Sequence, residues 1–97
     1  MSERETPLPP PTFEFLVLSL RMQAEMSLGL GPEMEGAPPK DLRVARHFID
    51  LLALLQDKCK GNLSLEEQRL LDNTVTELRF RFIQAQQEPQ APPVQNG

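Results

Sequence analysis

All ten prolines of this 97-residue chain fall in three segments: Pro7, Pro9, Pro10 and Pro11; Pro32, Pro38 and Pro39; and Pro89, Pro92 and Pro93. Proline lacks the backbone donor and its ring collides with the preceding turn, so it is expelled from helix interiors. Regular structure is therefore confined to the proline-free stretches 12–28 and 41–87. The flanks carry few apolar residues and are expected to be disordered, a Pro-rich arm over 1–11 and a tail over 88–97. That leaves 12–87 as a single helical domain interrupted by a Gly- and Pro-rich loop at 29–40. Such a loop is long for a helix–helix connection and is expected to cross the domain or drape over it. The Leu8-Pro9-Pro10-Pro11 run reads as a solvated polyproline II lead-in, with docking to a proline-binding module as the alternative.

The expected fold is all-α, with three helices over about 12–28, 41–60 and 64–87. In the first, Thr12 is the N-cap and Gly29 the stop signal. Phe13, Leu16, Leu20 and Ala24 make one apolar face, Phe15, Met22 and Met26 a second, and Val17 and Leu28 lie on a third side. Only Glu14, Arg21 and Glu25 gather into a polar strip, so this helix has to be covered on most sides. Ser19, Gln23 and Ser27 form an i, i+4, i+8 row within that surface. It marks either a close helix contact where Gln23 finds a specific partner or a solvated seam edge.

The second helix starts from Asp41 and carries a stripe of Ala45, Phe48, Ile49, Leu52, Leu55 and Cys59. Val44 and Leu51 widen the stripe on one side, Leu42 and Ala53 on the other. Arg46 and Asp50 pair at i, i+4 on the polar face. Lys58 and Lys60 complement the dipole at its end. After Gly61-Asn62-Leu63, Ser64-Leu65-Glu66-Glu67 reads as a capping box. So short a turn makes the last two helices an antiparallel hairpin. The third helix shows a narrow seam of Leu71, Val75, Leu78 and Phe82, flanked by a Glu77–Arg81 pair. Phe80 falls opposite that seam, as a stray exposed aromatic or as a partner contact.

Much chemistry is excluded. With one histidine, His47, the chain has no two-histidine metal site. His47 and Cys59 lie about 18 Å apart along one helix, so they form neither a shared ligand pair nor a thiol–imidazole couple within one chain. His47 with Asp50 at i+3 reads as a surface salt bridge, and Cys59 as a packed side chain. No cofactor is expected, and the chain is not expected to be an enzyme. A formal charge of −4 and a pI near 4.9 argue against nucleic-acid binding. The longest apolar run, 15–20, falls far short of the roughly 20 residues of a membrane span, and no basic leader precedes it. The lone Cys59 fits a reducing compartment, and a cytoplasmic location is expected.

Three pieces of the chain resemble an uncharacterised bacterial family, the domain-of-unknown-function family 1844. They are Phe13-x-Phe15 with Ser19-Leu20, Gln23-Ala24 and Leu28-Gly29; Asp41-Leu42 with Ala45 and Ile49-Asp50-Leu51-Leu52; and Lys58-Cys59-Lys60-Gly61-Asn62-Leu63-Ser64 with Glu66-Glu67, Leu70-Leu71-Asp72 and Glu77-Leu78-Arg79. The likeness spans 13–79. It implies a small helical protein with no established activity and no known catalytic residues. Members typically carry threonine at the position of Cys59, which implies that no thiol is required there.

The burial balance points to self-association. Ordering costs roughly 1.5 kcal/mol per residue and apolar burial returns about 25 cal/mol per Å², so a lone domain of this size comes out near zero. Neither a disulfide nor a metal site shifts that balance. A three-helix monomer leaves much apolar surface wet, at a size that usually marks an interface. The expectation is a homo-oligomer, most simply a two-fold dimer completed by the first helix. An adaptor that binds another protein through an exposed apolar helix face is the alternative. The expected contact residues are Phe13, Leu16, Leu20, Gln23, Leu51, Leu52 and Phe80.

Overall fold

The structure, a computed structural model, describes residues 7–30 and 40–87. Six residues of the expected arm, residues 31–39 of the loop and the whole expected tail lie outside those described. Among the described residues there are three helices and no strand: α1 (Phe13–Ser27), α2 (Leu42–Lys58) and α3 (Leu65–Gln87).

Local signals set the helix ends. Thr12 is extended, and its Oγ1 accepts from the Phe15 amide at 3.0 Å, satisfying one orphan donor of α1. At the other end Gly29 adopts a left-handed φ of 81°. Its amide donates to Met26 O, and the Leu30 amide reaches back to Glu25 O at 2.8 Å. This double closure is a Schellman motif, in which glycine takes the conformation a Cβ would oppose. Asp41 Oδ1 accepts from the Arg43 and Val44 amides at the start of α2. Before α3, Ser64 Oγ accepts from the Glu67 amide at 3.1 Å while Glu67 Oε1 accepts from the Ser64 amide at 2.8 Å. The expected capping box is formed in full. Ser64→Ala is expected to cost about 1 kcal/mol of stability in urea unfolding, with Ser64→Asp recovering most of it.

One helix boundary needs correction. The helix drawn over 41–60 ends at Lys58, because Gly61 turns left-handed at φ 85° and Asn62 N–H closes back to Cys59 O. Lys60 therefore lies in the turn, past the helix end. The 29–40 segment was expected to cross the domain or drape over it, and its course over 31–39 lies outside the described residues; at its end the Asp41 amide donates to Ser27 O at 2.8 Å. The chain re-enters regular structure where it left it, and α2 starts against the last carbonyls of α1.

All three helices pack against one another. The buried apolar residues are Val17, Ala24 and Leu28; Ala45, Ile49 and Leu52; and Leu71, Val75, Leu78 and Ala85. The α2 stripe and α3 seam thus point inward as expected. Gln56 Nε2 donates to Asp72 Oδ1 at 2.9 Å, joining the last turns of α2 to the first turns of α3.

The sequence left the inward face of α1 open among three apolar sides, and the structure selects one. Val17, Ala24 and Leu28 lie within about 40° of one another at 100° per residue and form one buried stripe. Phe13 and Leu20 flank it, half-buried, whereas Leu16 stays outside at 44% exposure. Arg21 borders the stripe, bonds Glu25 at 2.9 Å, and reaches Glu77 of α3 at 3.5 Å. Glu77 also holds Arg81 at 3.4 Å.

The core is thin. Three of its ten apolar members are alanines. None of the five phenylalanines is fully buried: Phe13, Phe48 and Phe82 lie on its rim, and Phe15 and Phe80 are exposed. Thr74 is also interior, and its Oγ1 is buried with no hydrogen-bond partner among the described residues. An unpaired buried hydroxyl costs about 1–3 kcal/mol. Thr74→Val keeps the shape and removes the oxygen, so the variant is expected to melt several degrees higher.

Candidate functional site

The outward side of α1 is the feature the fold leaves unexplained. Phe15, Leu18 and Met22 lie within an arc of about 60°, opposite the buried Val17–Ala24 stripe. They are 45%, 43% and 57% exposed. Met26 continues the arc half-buried, and beyond it come Ser19, Gln23 and Leu16. Between Leu18 and Leu16 on this side α1 carries no charged residue. Its charges (Glu14, Arg21 and Glu25) keep to the other edge, where Arg21 pairs with Glu25 and with Glu77 of α3. Four large side chains 43–57% exposed on one fifteen-residue helix exceed the scattered apolar exposure normal for a monomer.

The residues expected to make contacts divide by position. Leu16 and Gln23 lie on this open side of α1, whereas Phe13 and Leu20 sit half-buried at its edge against the core. Gln23 is exposed, and its side chain forms no hydrogen bond with another described residue. The intramolecular partner that its place in the Ser19–Ser27 row invited is therefore absent among the described residues. Leu51 is half-buried on α2. Leu52 has no accessible surface and belongs to the core of the single chain, so it offers nothing to a docking partner in this conformation. Phe80 is 60% exposed, opposite the α3 seam as its spacing indicated.

Sequence reasoning had grouped Phe15, Met22 and Met26 as a face but did not place them at a contact, and Leu18 had been given no face. The available signal was the charge-free arc itself, which becomes decisive only once Val17 is known to point inward. Elsewhere, Asp50 pairs with Arg46 at 3.8 Å, and the expected His47–Asp50 bridge does not form. His47 instead meets Phe48 edge-to-face, with ring centroids 5.3 Å apart. Cys59 is a half-buried free thiol at the end of the α2 stripe. No three His, Cys, Asp or Glu side chains among the described residues are arranged to hold a metal. No described helix is long and apolar enough to cross a membrane.

The family model of a domain of unknown function, DUF1844, matches residues 10–84, and so covers all of α1 and α2 and most of α3. No curated protein and no solved structure matches the chain.

Proposed function

We propose that this chain, which belongs to the DUF1844 domain-of-unknown-function family, acts as a small self-associating helical protein, with no chemistry of its own, whose functional surface is the outward side of α1. One observation carries the reading: Phe15, Leu16, Leu18 and Met22 stand exposed together on a helix whose other side already closes the core. Covering a Leu, Met or Phe side chain returns about 1.5–3 kcal/mol when burial is complete. The simplest occupant is the same surface of a second copy, because an isologous contact matches apolar to apolar with no further element. Exposed Gln23 then gains an amide partner in its counterpart, which gives the contact a register. A cytoplasmic setting accords with this reading.

A second reading, an adaptor for a different protein, is favoured by Phe80, which stands 60% exposed away from the core seam. Co-purification separates the two. A tagged copy mixed with an untagged one is expected to retain it in near-equal amount after subunit exchange. A tagged copy that always emerges alone would remove the self-association reading.

A further inference from the structure

Beyond the α1 surface, α2 and α3 leave an open cleft of about 380 Å³ between the early turns of α2 and the late turns of α3. Its apolar lining is Ile49, buried, with Phe82 on the core rim and half-exposed Ile83. Around these stand Arg46 and Asp50 of α2 and Arg79 and Gln86 of α3. The volume falls within the range of small-molecule sites.

The charges of the cleft do not cancel. Arg46 Nε lies 3.8 Å from Asp50 Oδ2, a loose exposed pair that accounts for one cation and the one carboxylate. Arg79 forms no ion pair among the described residues. The residues three and four positions from it on α3 are Val75, Thr76, Phe82 and Ile83, so its own helix offers it no acid. A guanidinium with no acid paired to it among the described residues, beside an apolar floor, is the complement of a carboxylate on an apolar body: the fork takes both oxygens, and the floor takes the hydrocarbon. The chain as a whole carries a formal −4, so its long-range field repels anions and disfavours a second charge on the ligand. We propose that this cleft is a binding site for a small apolar monocarboxylic acid, held by Arg79 over Ile49, Phe82 and Ile83.

The test is a titration of the full chain with 2-naphthoate, read residue by residue in ¹⁵N-resolved NMR spectra. Saturable shifts are expected at Arg46, Ile49, Asp50, Arg79, Phe82 and Ile83, with a Kd on the order of 1 mM, as an open site gives a ligand of this size. Arg79→Gln is expected to weaken binding at least fivefold, and Arg69→Gln, on the same helix but outside the cleft, to leave it unchanged. The neutral 2-naphthol is expected to bind at least fivefold more weakly than 2-naphthoate. Circular dichroism of Arg79→Gln confirms that the variant is folded. Four results would each overturn the proposal: no saturation, shifts centred on Phe15, Leu18 and Met22, equal binding of 2-naphthol, or no effect of Arg79→Gln.

Discussion

With Leu18→Glu and Met22→Glu introduced together, the chain is expected to sediment as a single 11.0 kDa polypeptide at concentrations where the parent associates. Both side chains point outward in the folded chain, 43% and 57% exposed, so neither replacement removes a core contact. Glutamate is also a good helix former. Each substitution enters both copies of a two-fold contact, so four half-exposed side chains at about 1 kcal/mol each are lost, which weakens association about a thousandfold, and burying four carboxylates adds to the loss. The α-helical circular dichroism signal is expected to persist, with some loss of thermal stability from the lost linkage. Leu65→Glu, 65% exposed at the first residue of α3, serves as the surface control and is expected to associate like the parent.

Leu52→Ala is expected to act in the opposite way, by removing the fold and with it any association. Leu52 is fully buried among the ten core residues, and a Leu→Ala change at such a site costs about 2–5 kcal/mol. A small domain's total stability is about 5 kcal/mol, and a core containing three alanines has little spare packing to relax into the gap. Urea unfolding of the variant is expected to begin without a native baseline at 25 °C. Leu16→Ala is expected to leave the unfolding midpoint at low protein concentration nearly unchanged, because Leu16 is 44% exposed. If the two variants were equally destabilised, the division of α1 and α2 into inward and outward residues given above would be wrong.

How much of this was legible in the sequence depended on how local each signal was. Thr12, Gly29, Asp41 and the Ser64–Glu67 box act within four residues of themselves, and each stands where the residue pattern placed it. The stripe of α2 was legible because Arg43, Arg46, Asp50 and Asp57 leave it only one apolar side. The orientation of α1 was not, because a helix apolar on three sides gives the helical wheel no preferred face. In the orientation adopted, Val17, Ala24 and Leu28 face inward and Arg21 reaches Glu77 of α3 at 3.5 Å, a contact between helices that no pattern along α1 alone displays. Thr74 and Ala85 were missed for a related reason: a hydroxyl and a methyl carry little apolar signal, yet both fit where helices approach closely. The cleft beside Arg79 arises from the pairing of two helices and has no counterpart in the order of residues along either one.

Sedimentation equilibrium of the full chain across 1–100 μM, on the order of the concentrations at which modest dimers dissociate, tests the central claim most directly. A molar mass that rises with concentration towards twice that of one chain, and stays near one chain for the Leu18→Glu, Met22→Glu variant, is the expected result. A parent chain that remains folded at the mass of one polypeptide over that whole range would contradict it.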